Sequence, residues 1–239
     1  MPRFFADCPL HLDQCLELPS DTARHVQVLR MQPGDELTLF NGLGGSYTAQ
    51  VLQMGRQSVE VRVTQHDAQE RESNCQTHIV IGMPANERMD WLVEKATELG
   101  VAHITPVMTQ HTVLRLSGER GLKRQQHWQG IAQASCAQSG RNRIPLIDAP
   151  QPLSDWLKAL PDAPDNTRVL LSLHPSARTW RGIWGQHTPD KLTLLSGPEG
   201  GLSPEEEAQA RDRGFQAVQV GARVLRSETA PLTVLAQLL

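Results

Sequence analysis

The sequence predicts an α/β chain in two parts: a small β-rich unit over residues 1–72 and a parallel-sheet domain over residues 73–239. Three observations predict this. In the first part, apolar and polar residues alternate with a period of two on either side of an Asn-Gly turn. In the second, short apolar runs alternate with segments of helical period, as in strands that lie parallel beneath helices. Between the two, residues 66–76, HDAQERESNCQ, are polar and charged throughout, which is linker composition.

The elements follow in order. Asp21 to Met31 reads as a helix with Val26, Leu29 and Ala23 on one face, ended by Gln32-Pro33-Gly34-Asp35. Leu37 to Phe40 is a strand, and Asn41-Gly42-Leu43-Gly44-Gly45 is a turn longer than two residues. Tyr47 to Leu52 and Val59 to Thr64 are strands, the second with Val59, Val61 and Val63 on one face. Thr77 to Met83 is a buried strand. Glu87 to Leu99 is a helix with Asn86 as N-cap, an apolar face of Met89, Leu92, Val93, Ala96 and Leu99, and Gly100 past its end. His103 to Val107 is a strand and Glu119 to about Ser139 a long helix. Arg168 to Leu173, Leu192 to Ser196 and Phe215 to Val220 complete the strands. Trp91 and Trp128 read as packing anchors, and Trp180 and Trp184, four apart, as an apolar stripe on a short helix.

Composition removes several classes. The formal net charge of -3 over 239 residues excludes an indiscriminate polyanion binder. No apolar run reaches the ~18 residues of a membrane span, and MPRFFADCPLH carries no signal-peptide pattern. The cysteines at 8, 15, 75 and 136 are scattered, with no zinc-like spacing, so no metal is expected and a cytoplasmic location is.

Ligands of open parallel sheets sit at the carboxyl ends of strands, so three loops matter. After Leu192–Ser196 comes Gly197-Pro198-Glu199-Gly200-Gly201-Leu202, then Ser203-Pro204-Glu205-Glu206, a capping box that starts a helix. The loop lacks a Walker lysine and the GxGxxG spacing, and its carboxylate repels phosphate, so it reads either as a cradle for a neutral or cationic ligand or as a tight turn. After Val220 comes Gly221-Ala222-Arg223-Val224-Leu225-Arg226-Ser227-Glu228-Thr229-Ala230-Pro231. Pro231 puts the helix start near Glu228 or Thr229 and leaves Arg226 in the loop, either facing a ligand or in a salt bridge to Glu228 or Glu199. The third loop begins at His174, either a base or ligand or a loop residue making local hydrogen bonds.

LLSGPEGGLSPEE and VGARVLRSETAPLT together resemble the SPOUT class of knotted, S-adenosylmethionine-dependent RNA methyltransferases, and more narrowly the bacterial 16S ribosomal RNA (uracil-N3) methyltransferases. HVQVLRMQPGDELTLFNG, RMDWLVEKATELGVAHITPV and QHWQGIAQASCAQSGRNRIP extend the resemblance over nearly the whole chain. Ser227 stands where Thr is commoner, with the hydroxyl kept. The resemblance implies a PUA-like β-barrel that targets RNA over residues 1–72, a trefoil-knotted catalytic domain over residues 73–239, and a homodimer. It implies that Leu173, Leu195, Gly197, Gly200, Gly201, Val220, Gly221, Val224 and Leu225, bordered by His174 and Thr229, hold S-adenosyl-L-methionine. It implies 16S rRNA of the 30S subunit as substrate. A knotted methyltransferase for tRNA, a non-catalytic ribosome-assembly module and a nucleotide hydrolase are the competing readings.

Uracil N3 must lose its proton before it attacks a methyl group, and negative charge then spreads to O2 and O4. Arg226 is the candidate donor to such an oxygen, since a guanidinium stays charged and can fork onto it. Glu199 or Glu228 would accept the proton or orient Arg226. Residues 1–72 hold six basic and ten acidic side chains, and residues 73–145 hold eight and five, so the basic charge lies in the second part. The stretch 115–143 carries six Lys/Arg against Glu119 alone, and Arg141 and Arg143 in Ser139–Arg143 read as a flexible pair of phosphate forks. Arg24, Arg30, Arg88 and Lys95 are further candidate RNA contacts.

Overall fold

The structure, a computed structural model, describes residues 1–85, 87–180 and 188–239 and comprises two units. Asn86 and Trp184, named above as an N-cap and as half of an apolar stripe, lie outside the described residues.

The first unit takes Met1–Glu72 together with Gln133–Ile144. Its strands β1 (Arg3–Phe5), β2 (Cys15–Glu17), β3 (Glu36–Phe40), β4 (Ser46–Met54) and β5 (Val59–Asp67) form one sheet in the order β1-β3-β4-β5-β2. In β5 the burial alternates as the sequence requires, with Val59, Val61 and Val63 inside among Leu37, Leu39, Ala49 and Val51. Register shifts at Thr48/Ala49 and Val51/Gln53 mark bulges, which bend a strand pair. Helix α1 (Ser20–Val28) buries Ala23 and Val26 on this core. Leu29 does not join them and is 55% exposed. The helix stops one residue earlier, and Arg30 turns left-handed at φ 56°, so the apolar periodicity overruns the helix.

Residues 133–144 bring the end of a long helix, α3 (Gly118–Ser139), into this unit, with the loop after it. That loop is pinned rather than flexible. Arg141 is 4% exposed and its guanidinium grips Glu72. Asn142 donates to the Gln69 carbonyl at 2.8 Å and accepts from Arg3. Arg143 faces Glu70 at 3.6 Å. The expectation of a loose phosphate fork at Arg141 is therefore corrected: its charge is spent inside the unit. The carboxylates of the polar segment 66–76 are the partners.

The second unit takes Ser73–Ala132 and Pro145–Leu239. Strands β6 (Gln76–Gly82), β7 (His103–Met108), β8 (Leu146–Ile147), β9 (Gln151–Pro152), β10 (Thr167–Leu171), β11 (Arg178–Thr179), β12 (Lys191–Ser196) and β13 (Gln216–Gln219) form a parallel sheet. The order is β11-β13-β10-β12-β6-β7-β8, with β9 also on β7. β6 and β12 are near-continuously buried, as central parallel strands must be. Helices α2 (Arg88–Glu98), α4 (Leu153–Ala159), α5 (Pro204–Asp212) and α6 (Thr229–Leu235) complete the unit with the first part of α3. Met89, Leu92, Val93 and Ala96 of α2 are buried as expected, and Gly100 beyond its end has φ +88°. Trp128 is buried, its indole N–H donating to Asp90 at 2.9 Å. Trp91 is not an anchor within the chain; its side chain faces out.

At the amino-terminal end of this sheet, His78 and His103 are register partners with rings stacked at 3.9 Å. Asp148 accepts from the Thr105 hydroxyl at 2.5 Å and from His103 Nε2 at 2.8 Å. The Thr105 proton is thereby used, so His78 Nε2, at 2.7 Å from that hydroxyl, donates to it. Burial, with His103 beside it, pushes His78 down to about 3. Below the ordinary histidine pKa the unfolded chain takes a proton that the folded chain refuses, so stability falls as pH drops from about 6.5 toward 3. Between pH 7 and pH 5 this group alone is expected to remove about 2 kcal/mol. Melting curves should show the parent losing about 4–8 °C more over that range than His78→Gln. Parallel losses would contradict the assignment.

Candidate functional site

Because β13, β10 and β12 are neighbours, the loops that follow them lie side by side at the carboxyl edge of the sheet. They enclose a cleft of about 460 Å³.

The loop after β10 contributes Ser172, Leu173 and His174. The Ser176 backbone N–H donates to His174 Nδ1 at 3.2 Å, which makes Nδ1 an acceptor and puts the ring proton of the neutral imidazole on Nε2. The Ser172 hydroxyl donates to Glu207 at 2.9 Å, and Arg211, one turn along α5, holds the other Glu207 oxygen at 2.6 Å.

The loop after β12 is folded tightly on itself. A side chain at Gly197 would collide with the backbone of Gly201 and Leu202, and Gly201 sits at φ +70°. The helix start read from the sequence is present: Ser203 Oγ accepts from Glu206 N at 3.2 Å, and the Glu206 carboxylate accepts from Ser203 N at 2.9 Å. The loop after β13 supplies Val220, Gly221, Arg223, Val224, Leu225 and Ser227.

Eight of the residues named for a cofactor line the cleft: Leu173, His174, Gly197, Gly201, Val220, Gly221, Val224 and Leu225. Three do not. Leu195 points into the core against Val80 and Leu170. A side chain at Gly200 would press on His111. Thr229 opens α6, and Ala230 lines the wall instead. The sequence reading missed Ser172, Glu207, Arg211, Gln219 and Ser227, which also line it. Glu207 and Arg211 had a signal, an i,i+4 pair on the helix launched by the glycine loop.

The charged groups around the cleft mouth centre on Arg88. Its Nη1 meets Glu199 at 2.8 Å and its Nε lies 3.9 Å from Glu228. Glu199 also accepts the Ala85 backbone N–H at 3.0 Å. Burial pushes the Glu199 carboxyl up, but the backbone N–H groups and Arg88 outweigh it and hold it below the usual carboxylate range. Glu228 is buried and accepts the Ser227 hydroxyl at 3.1 Å. Neither carboxylate pairs with Arg226. The Arg226 side chain is exposed and, among the described residues, in no ion pair. Its carbonyl accepts from Thr229 and Ala230 at 3.0 Å, so the loop beneath it is fixed.

Of the candidate RNA contacts, Arg24 and Arg30 are exposed in the first unit. Arg88, a candidate RNA contact, is 41% exposed and forms the carboxylate clamp just described. Lys95 is held by Glu94 at 2.7 Å and Glu98 at 2.9 Å, which leaves it little net charge to offer. His78, His103 and Asp148 form the one set of metal-type side chains found among the described residues. Their imidazoles lie within 7° of parallel, so one ion cannot lie in both ring planes unless a ring turns.

The model of an RNA methyltransferase domain matches residues 71–239, and that of an RNA methyltransferase PUA domain matches residues 18–64. Fold and cleft together define the class, a SPOUT-type RNA methyltransferase with a PUA-like N-terminal domain. The chain is 28% identical over 242 residues to ribosomal RNA small subunit methyltransferase E of Buchnera aphidicola from Schizaphis graminum, covering all of this chain and 95% of that one. It superposes at TM-score 0.91 and 35% identity on the Neisseria gonorrhoeae enzyme of that name bound to S-adenosyl methionine, covering 99% and 96% of the two chains. A Legionella pneumophila putative methyltransferase with bound S-adenosyl methionine gives 0.89 and 35%, with the same coverage. The chain belongs to this family, that of the bacterial ribosomal RNA small subunit methyltransferases E.

The cofactor is S-adenosylmethionine. The cleft suits it: Leu173, Leu202, Val224 and Leu225 offer apolar wall for an adenosine, and Glu207 and Arg211 put both charge signs in the same wall, as an amino-acid end requires.

Proposed function

We propose that this chain methylates N3 of a specific uridine in 16S rRNA of the small ribosomal subunit, in the cytoplasm and as a homodimer. The observation that carries the reading is that Ser227, in the cleft wall, is flanked by Arg226, in no ion pair among the described residues, and by the buried Glu228 carboxylate, which accepts its hydroxyl; neither flanking side chain lines the cleft itself. Among the described residues no helix is long and apolar enough to cross a membrane.

The bound cofactor supplies an electrophilic methyl group on a sulfonium whose positive charge vanishes on transfer. The chain does the rest. The apolar wall excludes water and favours that loss of charge. Arg226 donates to the uracil oxygen on which negative charge grows. The N3 proton passes to Ser227 Oγ as the Ser227 proton passes to Glu228 Oε2, which frees the nitrogen lone pair to form the new bond to carbon. Glu199 is the poorer acceptor, because Arg88 and the Ala85 N–H stabilise its ionised form. It holds the glycine loop against the start of α2. An N3 that is paired in a duplex must be unpaired or flipped to reach the site. The β unit over residues 1–72 serves as the targeting module, with Arg24 and Arg30 as contacts.

Glu207 would take the cofactor's ammonium and Arg211 its carboxylate. Glu207→Gln is expected to weaken S-adenosylmethionine binding by about tenfold in calorimetry, the loss of one charge-assisted bond. Unchanged affinity would remove Glu207 from the site. The function itself is tested with labelled methyl donor and 30S particles, naked 16S rRNA or tRNA. Label in 30S or 16S RNA is expected, and label confined to tRNA would overturn the substrate assignment.

A further inference from the structure

Four of the six cations expected along the RNA path, Arg88, Lys95, Arg141 and Arg143, face carboxylates. The second unit nevertheless carries a basic stripe on the opening turns of α3. Arg120, Lys123, Arg124 and His127 are exposed at spacings of three and four residues, which places them on one helix face. The adjoining face is buried at Gly121, Trp128 and Ala132.

Only two of the four are engaged by a carboxylate. His127 meets Asp90 at 2.8 Å, and Lys123 meets Glu119 at 2.7 Å in a fully solvated pair that is worth little. Arg120 and Arg124 have no ion-pair partner among the described residues. A hollow of about 480 Å³ runs along the stripe, lined by Arg115, Arg120, Lys123, Arg124 and His127 with two leucines and no carboxylate. Arg124 also lines the adjoining hollow, whose other residues are Glu87, Arg88 and Asp90. The stripe therefore continues to Arg88, which clamps Glu199 and Glu228 at the mouth of the cleft.

We propose that this stripe is a phosphate track that grips the RNA backbone flanking the target nucleotide, with Arg120 and Arg124 as its principal contacts. The proposal rests on the RNA-methyltransferase reading above and locates the grip. Arg120 and Arg124, in no ion pair among the described residues, can attract a polyanion, and guanidiniums fork onto phosphate oxygens. No Phe, Tyr or Trp lines the hollow, and the one ring there, His127, is held by Asp90, so the cations favour backbone over stacked bases.

The test is the double charge reversal Arg120→Glu/Arg124→Glu, with 16S rRNA binding measured across a salt series. Affinity at about 0.1 M salt is expected to fall at least tenfold, and the slope of log K against log salt to lose about 1.5, at roughly 0.7–0.9 per phosphate contact. KM for RNA rises, while S-adenosylmethionine binding and the single-turnover rate at saturating RNA stay at parental values. The pair Lys158→Glu/Lys191→Glu, elsewhere on the same unit, controls for net charge. An unchanged slope, or an equal loss in the control pair, overturns the proposal. If the reversal fails to fold, Arg120→Gln/Arg124→Gln is read in its place with the same expectations. A parent protein that transfers no methyl group to rRNA overturns the underlying reading instead, which keeps the two failures apart.

Discussion

Arg226→Ala is expected to leave S-adenosylmethionine binding within about twofold of the parent while single-turnover methyl transfer falls by roughly 100- to 1000-fold, the usual cost of removing one preorganised oxyanion donor. The carboxylates of Glu199 and Glu228 are held by Arg88, while the Arg226 backbone is pinned by two hydrogen bonds into the start of α6. A cation between the cleft-lining Leu225 and Ser227, in no ion pair among the described residues, stays available for charge that appears only during reaction. Arg226→Lys keeps the charge but loses the planar fork, and should recover only part of the rate. Parental single-turnover rates in Arg226→Ala would remove this residue from the chemistry. A loss confined to cofactor affinity would make it a binding residue.

The second large effect is expected at Glu228. Glu228→Gln preserves shape and the Ser227 contact but cannot take a proton, so transfer should slow by about 100- to 10,000-fold. Ser227→Ala breaks the path to the carboxylate and should approach that loss, whereas Ser227→Thr, which keeps a hydroxyl, should stay within a few-fold of the parent. Glu199→Gln should cost about tenfold or less, because that group acts by tethering the glycine loop rather than by accepting a proton. Single-turnover rates for the four variants decide the matter. Glu228→Gln at the parental rate, or Glu199→Gln slower than Glu228→Gln, would contradict the relay.

Much of this site was legible because it depends on local chemistry. The capping box at Ser203 and Glu206, the glycines before it, and Pro231 locating a helix start are all short-range signals, and together they put Arg226 in a loop. The alternation of Val59, Val61 and Val63 marked their strand for the same reason. What was not legible depends on partners distant in sequence. Arg141 looked like a free fork because nothing near it in the chain reveals Glu72, 69 residues earlier, as its buried counter-ion. Arg88 looked like a surface cation because Glu199 lies 111 residues away. The long helix gave no sign that it changes neighbours near Gln133, since its helical character is continuous across that point. Leu29 was misplaced because an apolar period says where a helix would bury a side chain, not where the backbone leaves the helix.

The identity of the methylated nucleoside decides whether this chain acts on uracil N3. 16S rRNA in 30S particles is incubated with the protein and isotopically labelled methyl donor, digested to nucleosides and resolved by mass spectrometry, beside the Arg226→Ala protein. Label in 3-methyluridine from the parent, and its near-absence from the variant, is the expected result. Label in a different methylated nucleoside, such as a ribose-methylated or cytosine derivative, would contradict the account.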